Sequence, residues 1–571
     1  MLSGFFPKLS LRYRILSLVF IILSAVASIG VSKLLDSKGL PHDVSGDDRD
    51  IYIYCEDSAG VRVKPFFTSD NEFRMFIPCP AKEWLWSIPK GASLYIDGVL
   101  CNNGDKMTVT DDGKEHAIVF TLDGATAEWY MTCMCADNIS VASINLDSDD
   151  FDTVIKEETP QTKVTANMTI LDEKGAVNFD DTCKLGGHGN ATWMKCSKKS
   201  FEVKLADEAS LLNMGSNSGW NIIANAMDPS NLKNSVVYEA ARKCGYEYSV
   251  GSQYINLYIN GMYNGLYLLT EKPVVGGCVL FTNDLGNNRT RLAESEYAVP
   301  VIENYGTNDE IRYYSIKSAP SGAPNNYFME FDRYDETLGE TSSEAWFMTD
   351  KAKDLGETGY QVLIKYPRTA TQPEVSYIMD YVKNAEAAIY SEDGINPETG
   401  LDYRDCMDLY SWAMSYLFMD FFAYQDYSAG SLFFYKKGND DLLYSGPIWD
   451  YDKCMTDDFY SEEPFEWYEK NNVYLWYGQM GHFDDFHNQV IDNYRLELSP
   501  ILQDIIENKL PEWRRSISLS EEMDEIRWRI EPGYEVLRGD LVEKWLIMRK
   551  DLFDSVWIRG ESSPYADNIY P

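Results

Sequence analysis

The sequence predicts an α+β protein in which a small all-β region precedes a mixed region of strands and helices. Between residues 51 and 148, short alternating runs such as "IYIYC", "SLYIDGVL" and "HAIVFTL" are separated by turn pairs such as Asp-Gly. Between residues 149 and 490, strand patterns such as "SFEVKL" mix with helix patterns such as "SVVYEAARKC". Many short strands joined by frequent turns are typical of an immunoglobulin-like β-sandwich, which we predict for the first region.

Length and composition indicate several folded domains. The chain has 571 residues, too many for one hydrophobic core, and its 44% apolar and 14% aromatic content predicts that most of it folds. We divide it into a signal anchor or signal peptide (1–35), a polar linker (36–50), the β-sandwich (51–148), a mixed α+β domain (149–490) and a helical C-terminal part (491–571).

The charge balance limits the classes of partner. The chain carries 90 acidic and 51 basic residues, a formal net charge of −39. Nucleic acid and anionic membranes both require a basic face, so neither is expected as the main partner. The acidity fits a soluble, self-repelling surface, a basic protein partner, or a requirement for cations.

The N-terminal segment predicts export. Basic residues precede an apolar run over residues 15–31, which is just long enough to span a bilayer as a helix. The basic flank should stay in the cytoplasm, so that the rest of the chain lies outside. The small residues Ala25–Ala27 form a pattern that a signal peptidase could cut. We therefore expect either a single-pass membrane protein with an outer ectodomain, which the length of the apolar run favours, or a secreted protein cleaved after Ala27.

The eleven cysteines do not define a disulfide framework. An exported chain could pair them, but Cys133 and Cys135 are too close in sequence for an easy mutual bridge. Partners such as Cys55, Cys79 or Cys101 are available to them, and the connectivity stays open.

A glycine-rich stretch is the first candidate binding motif. "KLGGHGNATW" places Gly186, Gly187 and Gly189 within four residues, so that backbone N–H groups could approach an anion closely. The Gly-Lys-Ser/Thr ending of a Walker loop is absent from it. A phosphate cradle and a tight hairpin turn are equally compatible with this pattern.

A lysine after this stretch could contact phosphates, and a glutamate on the following helix could hold it. In "KKSFEVKL", Lys204 lies on the polar face of a predicted strand, close to where protein kinases hold their phosphate-binding Lys. Glu239, on a predicted helix, could pair with such a Lys. A solvated strand face and an ordinary helix surface are the alternatives.

Three acidic residues are the candidates for catalysis and metal binding. Asp426 lies between a long aromatic helix and an apolar strand, where a carboxylate can accept a hydroxyl proton. Asp450 and Asp452, in "SGPIWDYDKCM", would lie on one side of an extended strand, and two carboxylates so close should repel unless a cation lies between them. Two solvated acids at a strand end, with or without calcium, are the alternative.

Taken together and in this order, the motifs resemble those of the CotH family, the spore-coat-protein-H-like kinases. The resemblance runs from about Phe151 to about Val490. The matching stretches are "GGHGNATWMKCSKKSFEVKL", "NIIANAMDPSNLKNSVVYEAARKCG", "YINLYINGMYNGLYLLTEK" and "GPIWDYD".

The resemblance implies an atypical protein-kinase-like fold that uses ATP with Mg²⁺ or Mn²⁺ and phosphorylates a protein Ser or Thr. A basic, Ser-rich protein is the candidate substrate, while the charge and the N-terminal run predict no nucleic-acid partner and membrane contact through the N-terminal segment only. The roles that the resemblance implies are these: Asp426 and Lys204 catalytic; Gly187, Gly189, Asn190, Lys199, Lys204, Glu239 and Glu271 nucleotide-binding; Asp450, Asp452 and Ser431 metal-binding.

The sequence also departs from the family pattern, which keeps a second function open. His188 stands where a basic residue is common, Lys233 where the family often has Arg, and Ser431 where an Asn metal ligand is expected. A hydroxyl is a poorer ligand for magnesium than an amide oxygen. A non-catalytic surface adhesion or structural coat protein on the same fold is therefore the alternative to an active kinase.

Overall fold

The computed structural model describes most of the chain beyond residue 50. The described residues are 51–55, 61–78, 82–108, 112–136, 138–157, 160, 162–273, 299–304, 310–315, 326–332, 344–350, 360–425, 430–438, 440–455, 476–528 and 540–561. The predicted anchor (1–35), its cleavage site after Ala27, the linker (36–50) and Asp426 lie outside these residues.

The first region is all-β, as predicted, and consists of two sheets around a shared core. Its strands are β1 Tyr52–Tyr54, β2 Arg62–Val63, β3 Phe66–Ser69, β4 Glu72–Ile77, β5 Leu85–Ser87, β6 Ser93–Ile96, β7 Val99–Cys101, β8 His116–Leu122 and β9 Ala125–Cys135. One sheet has the order β2-β1-β5 and the other β3-β4-β9-β8-β6-β7. Ile53 and Trp86 of the first pack with Met75, Leu94 and Met131 of the second. Assignment of this region to the immunoglobulin type stays a prediction.

A closed seven-stranded barrel follows. Its strands are β10 Ser140–Asn145, β11 Lys163–Leu171, β12 Val177–His188, β13 Ser200–Ser210, β14 Ser216–Ile223, β15 Ser252–Ile259 and β16 Met262–Glu271, in the order β10-β11-β12-β13-β14-β16-β15. Parallel pairing of β10 with β15 closes it. β10 lies inside the range predicted for the β-sandwich, so the boundary at residue 148 is too late. The error arises because β10 pairs with strands far along the chain, and its alternation alone does not show this.

The barrel interior is filled by apolar side chains that alternate along its strands. Leu185, Val203, Trp220, Ile255 and Tyr267 are all fully buried in one cluster. The intervening residues of β13 and β14, among them Glu202 and Asn221, consequently lie on the outer face of the barrel.

A second sheet and a set of helices complete the chain. The strands are β17 Val299–Asn304, β18 Glu310–Ser315, β19 Tyr327–Asp332, β20 Ala345–Met348, β21 Gln361–Tyr366, β22 Leu432–Lys436 and β23 Leu443–Ser445, in the order β17-β18-β20-β21-β19-β22-β23. The α-helices are α1 Ser148–Lys156, α2 Ala191–Lys195, α3 Lys233–Lys243, α4 Gln372–Ile389, α5 Tyr403–Cys406, α6 Leu409–Phe421, α7 Trp476–Met480, α8 Asp484–Asn493, α9 Ser499–Asp504, α10 Leu510–Trp528 and α11 Asp540–Phe553. π-helical turns at Tyr494–Leu498, Ile505–Lys509 and Asp554–Ile558 adjoin α8 to α11.

One large core joins the barrel to the second sheet through α3. Val236 and Ala240 of α3 belong to the same buried cluster as Leu268 of β16, Phe328 of β19 and Trp412 of α6. Helix α3 is therefore buried between the barrel and the second sheet. Its own intrinsic helix propensity matters less than this packing.

A buried ion pair fixes the helical C-terminal part to the barrel. The Lys198 ammonium lies 2.8 Å from an Asp524 carboxylate oxygen and donates to the Leu266 carbonyl at 2.6 Å. The Asp524 carboxylate also accepts the Leu266 N–H at 2.9 Å. Both charged side chains are about as buried as the apolar core, at 2% and 3% exposure. Separating α10 from β16 would leave both charges unpaired in the interior, which is strongly destabilising. The ion pair therefore holds the helix against the strand.

A second buried cation supports the end of α6. Arg549 of α11 is 1% exposed and donates to the backbone carbonyls of Asp420, at 2.8 Å, and Phe421, at 3.1 Å. These carbonyls lie at the C-terminal end of α6, where backbone acceptors need partners and a positive charge is favourable. The contact fixes the point from which the chain leaves α6 toward residue 426.

Within the described ranges, no helix is long and apolar enough to cross a membrane. No disulfide bond joins two of the nine cysteines that the structure describes.

Glu521 provides a test of how α10 docks. Its carboxylate accepts a hydrogen bond from Asn231 at 3.3 Å, and burial raises its pKa from 4.5 to about 7. The folded protein thus keeps this proton to higher pH than the unfolded chain, so stability falls as pH rises from about 4.5 through 7. Glu521→Gln should melt higher than wild type at pH 8, by about 1–3 kcal/mol in unfolding free energy, because Gln never ionises.

Thermal melts of both proteins at pH 4 and pH 8 check this expectation. The advantage of the variant should disappear at pH 4, where the wild-type carboxyl is protonated in both states. An equal difference in melting temperature at the two pH values would show that Glu521 is not buried against α3 and its preceding loop.

Candidate functional site

The acidic segment, residues 449–452, does not form the strand that its alternation predicts. β23 ends at Ser445, and residues 446–450, all described, are outside regular secondary structure. Asp450 has a φ of +63°, in the left-handed region. The prediction that Asp450 and Asp452 line one side of a strand is therefore wrong. The backbone N–H groups of this segment bond to side chains of α3 in place of a neighbouring strand.

Helix α3 supplies these bonds through two side chains, Asn234 and Tyr238. The Tyr451 N–H donates to the Asn234 side-chain oxygen at 2.9 Å, and the Asp450 N–H donates to the Tyr238 hydroxyl at 3.2 Å. The Tyr238 ring stacks on the Trp449 ring, with centroids 5.6 Å apart and planes at 6°. Two hydrogen bonds and one ring contact from a buried helix thus set the conformation of the acidic segment.

Asp228 sets the start of α3. It is 1% exposed, and its carboxylate accepts N–H groups of Ser230, at 3.0 Å, and Lys233, at 2.9 Å. A carboxylate that binds the free N–H groups at a helix start fixes where the helix begins. Burial raises the pKa of Asp228 against the opposing effect of Lys233. The "DPSNLKNS" motif therefore orients Asn234 and Tyr238 toward the acidic segment.

The structure brings two of the predicted metal ligands together. The Ser431 hydroxyl donates to an Asp450 carboxylate oxygen at 3.1 Å. Ser431 itself has a φ of +62°, and its N–H donates to Glu330 at 2.7 Å. Glu330 on β19 thereby fixes the chain where it enters β22.

Lys365 and Glu344 extend this cluster. The Lys365 ammonium lies 3.0 Å from Glu330 and 3.3 Å from Glu344. Burial opposes its charge, but the two carboxylates outweigh burial and raise the pKa of Lys365 above its usual value. The sequence contains no signal for this cluster, because its members come from three places that only the sheet order makes adjacent.

Asp452 has a different position from Asp450. It is the last residue of the acidic segment and is 7% exposed. Its backbone carbonyl accepts a hydrogen bond from the Lys233 ammonium at 3.4 Å. Its charge contributes to raising the pKa values of Tyr238 and Cys454, for both of which burial is the main cause. Its assignment as a second metal ligand stays a prediction.

The glycine-rich stretch is mainly a strand end. Gly186 and Gly187 belong to β12, and a Cβ on Gly187 would lie 2.5 Å from the buried Trp193 ring. Only Gly189, with a φ of +94°, requires left-handed backbone. The stretch is not the tight hairpin turn that we considered, because α2 lies between β12 and β13. Asn190 directly precedes α2. Close packing against Trp193 explains Gly187 without an anion, and an anion contact at Gly189 and Asn190 stays a prediction.

The strand end does reach the acidic segment, through His188. The His188 and Trp449 rings meet edge to face, with centroids 6.5 Å apart. Burial, and then the positive charge of Lys272, lower the pKa of His188 to about 4, so the ring is neutral at pH 7. Sequence reasoning noted His188 only as a departure from the family pattern.

The predicted pair between Lys204 and Glu239 is wrong. The Lys204 ammonium donates to the Ser218 hydroxyl at 2.6 Å, and among the described residues it contacts neither Glu239 nor Asp450. Glu239 pairs with Arg242 of its own helix at 2.7 Å. Lys204 lies too far along β13 from the strand end that meets Trp449, since each residue advances the chain by about 3.3 Å.

The ion pair that does form joins Lys272 to Glu202. The Lys272 ammonium and the Lys163 ammonium each lie 2.7 Å from one Glu202 oxygen. The Lys272 side chain passes over Gly219 of β14. A Cβ added to Gly219 would lie 3.5 Å from the Cβ of Lys272. Burial alone would raise the pKa of Glu202, but the two ammonium groups lower it to about 2. The missed signal was the Lys directly after "LLTE", together with a glycine on the intervening strand.

The remaining nucleotide-binding predictions have local contacts in the structure. Glu271 accepts the Gly251 N–H at 2.6 Å, and burial raises its pKa. Lys199 donates to the Trp193 carbonyl and lies 5.3 Å above its ring. Neither contact tests nucleotide binding, and both roles stay predictions.

The described part of the chain supplies an incomplete metal site by itself. Across it, no group of three or more His, Cys, Asp or Glu side chains is arranged to hold a metal ion. Asp450 and Ser431 are the oxygen donors found together, and Asp426 lies outside the described residues.

Comparisons with known proteins bear on the family. A family model described as "CotH kinase protein" matches residues 186–535, from the glycine-rich stretch through the acidic segment into the helical C-terminal part. No curated protein matches the chain. A crystal structure of a "putative glycoside hydrolase" from Bacteroides thetaiotaomicron covers 59% of this chain and 89% of its own at 11% identity. Its TM-score of 0.11 is too low to indicate a shared fold. Because the family model matches more than half of the chain, the chain belongs to the CotH kinase protein family.

Proposed function

We propose that this chain is an exported protein kinase, membrane-anchored or secreted, that transfers the γ-phosphate of ATP to a protein Ser or Thr hydroxyl with a divalent cation. The family match supports the activity. The observation that carries the proposal is the meeting of three elements: the strand end at His188, the acidic segment at Asp450, and Ser431 at the start of β22.

A divalent cation fits the oxygen donors of Asp450 and Ser431. Their two oxygens are 3.1 Å apart. Adjacent ligands of an octahedral Mg²⁺, each about 2.1 Å from the metal, are separated by about 3 Å, so both could bind one ion. When bound, the ion would neutralise negative charge on the phosphate oxygens. Asp452 remains the candidate for a further ligand.

Lys272 is the better candidate than Lys204 for contact with the phosphates. After burial, the positive charge of Lys272 is the next cause of the lowered pKa of His188, and the charge of Lys365, the neighbour of Glu330, adds to burial in lowering the pKa of Lys272. Its ion pair with Glu202 restrains the ammonium, as pairing restrains the phosphate-binding Lys of other kinases. His188 is neutral and could donate a hydrogen bond to a phosphate oxygen without adding charge.

The transfer step requires a proton acceptor besides these groups. The hydroxyl oxygen of the substrate would form a bond to the γ-phosphorus while the bond from that phosphorus to the β–γ bridging oxygen breaks and ADP leaves. The hydroxyl proton would go to Asp426, the acid that the family resemblance assigns to this role. Arg549 would act only by holding the C-terminal end of α6, which precedes Asp426 in the sequence.

Ser431 supports one alternative function. The hydroxyl at this position leaves a weaker metal contact than the family's usual amide, which favours a non-catalytic surface adhesion or coat protein on the same fold. The two functions differ in whether phosphate is transferred, and the next experiment separates them.

Asp450→Ala should abolish phosphate transfer. Purified chain lacking residues 1–50 is incubated with labelled ATP, Mn²⁺ and a basic, Ser-rich protein, and incorporated label is measured. Loss of a metal-binding carboxylate should lower incorporation at least about a hundredfold. Asp492→Ala, which removes an exposed carboxylate on α8, is the matched control and should retain wild-type activity. Equal background labelling by wild type and Asp450→Ala would support the non-catalytic alternative.

Lys272→Met and Lys204→Met should separate the two candidate lysines. Nucleotide affinity is measured by calorimetry with ATP and Mn²⁺. Removing Lys272 should weaken ATP binding about tenfold or more, because a charge-assisted contact to phosphate is lost, while Lys204→Met should change it less than about twofold. The circular dichroism of both variants should match wild type. The reverse order of affinities would return the phosphate-binding role to Lys204.

A further inference from the structure

A cleft of about 840 Å³ lies between the first region and the barrel. One of its walls is the sheet β2-β1-β5, and the other is formed by β10, β11 and β12. Ligand-binding clefts of this size often lie between domains. His188, which contacts Trp449, is six positions beyond Thr182 on β12, or about 20 Å along the strand. The cleft is therefore separate from the candidate site for phosphate transfer.

The cleft opens where the outer face of the barrel changes from apolar to polar. Ala142 and Ile144 fill the barrel core, so the alternate residues of β10 and their partners on β11 face outward. Three successive outward-facing pairs trace the change: Val141 with Leu171, Ser143 with Thr169, and Asn145 with Asn167. The first pair is buried in the core of the first region, and the second is polar but also buried. The third pair lines the cleft, half-buried on β10 and exposed on β11.

The barrel wall of the cleft continues onto β12. Thr182 pairs with Asn167 and extends the open row, while Asp180 pairs with Thr169 and extends the buried row. The Thr169 hydroxyl donates to an Asp180 carboxylate oxygen at 2.8 Å. A carboxylate can accept further hydrogen bonds beyond this one. The wall thus presents amide, hydroxyl and carboxylate groups in adjacent positions.

Two tyrosines and an arginine form the opposite wall. Ile53 and Val63 fill the core of the first region. Their neighbours consequently face the other way, into the cleft: Tyr52, Tyr54 and Arg62. The two tyrosine rings meet edge to face with centroids 6.4 Å apart, and the guanidinium carbon lies 5.8 Å from the centroid of the Tyr52 ring. This wall therefore offers aromatic surface beside a strong hydrogen-bond donor.

The chemistry of the two walls matches an uncharged sugar. Each sugar hydroxyl both donates and accepts, and the amide, hydroxyl, carboxylate and guanidinium groups supply both functions. The C–H faces of a sugar ring can pack on tyrosine, whose ring is apolar and whose hydroxyl is polar. Asp180 and Asp181 against the single Arg62 disfavour an anionic ligand. An apolar ligand is disfavoured because Val61 is the one aliphatic residue among those described along the cleft.

We propose that this cleft binds an uncharged oligosaccharide. The tyrosines of one wall pack on sugar rings, and the amides of the other wall bind hydroxyl groups. The proposed export of the chain would bring the cleft into contact with polysaccharides outside the cell. This binding goes beyond the proposed phosphate transfer and does not depend on it.

Calorimetry of the full chain with soluble hexasaccharides tests the inference. The ligands are chitohexaose, cellohexaose and mannohexaose, without ATP or metal, in a detergent that contains no sugar. At least one of them should bind wild type. Tyr54→Ala should weaken that binding about tenfold or more, and Asn167→Ala about threefold or more, because a ring contact and a hydrogen bond are lost.

Tyr95→Ala is the matched control. Tyr95 is exposed on β6 of the same region and lies outside the cleft lining, so its removal should change sugar affinity less than about twofold. Melting temperatures show whether each variant folds. Asn167 is exposed, so Asn167→Ala should melt with wild type and decides the test if Tyr54→Ala does not fold.

Three results would each overturn the inference. The first is that none of the hexasaccharides binds wild type. The second is that one binds but folded Asn167→Ala and any folded Tyr54→Ala keep wild-type affinity, which would place the binding elsewhere. The third is that Tyr95→Ala weakens binding as much as the cleft variants do. Because ATP and metal are absent, none of these results bears on the proposed phosphate transfer.

Discussion

The hydrogen bonds from α3 to the acidic segment are the constraint on which the rest of the candidate site depends. Asp450 has a left-handed conformation that a strand would not allow, and its N–H and that of Tyr451 are taken up by Tyr238 and Asn234. A non-glycine residue in this region is usually held there by its surroundings. The surroundings here are a helix whose start is fixed by buried Asp228. The position of the Asp450 carboxylate against Ser431 is a consequence of that chain of contacts.

The C-terminal helices have an architectural part in the same arrangement. Helix α10 is joined to β16 by the Lys198–Asp524 pair, and α11 reaches the end of α6 through Arg549. The first contact joins α10 to the barrel at Leu266, and the second supports the C-terminal end of α6. Removal of either buried cation would leave buried acceptors unpaired on one side of the site. Asp524 lies inside the family match, which continues to residue 535, and Arg549 lies beyond it.

Local periodicity in the sequence was enough to predict β11, β13, β15, β16 and α3, because each has an uninterrupted apolar pattern of the correct period. Local periodicity could not predict barrel closure, since closure depends on parallel pairing of β10 with β15 across more than a hundred residues. At the site, the association of Asp450 with Ser431 followed from the family resemblance. The Lys272–Glu202 pair did not, because it depends on strand register and on the absence of a side chain at Gly219. The strand predicted through Asp450 and Asp452 was wrong because tertiary hydrogen bonds outweighed a two-residue alternation.

Amide hydrogen exchange at Tyr451 measures how strongly α3 constrains the conformation of the acidic segment. The Tyr451 N–H is bonded to the Asn234 side chain, whereas the amide of Phe434 lies in β22, paired with both β19 and β23. Exchange is compared in wild type and Asn234→Ala. We predict that Tyr451 is protected in wild type and exchanges at least about tenfold faster in the variant, while Phe434 is unchanged. Equal exchange rates at Tyr451 in the two proteins would contradict the account, because the acidic segment would then keep its conformation without α3.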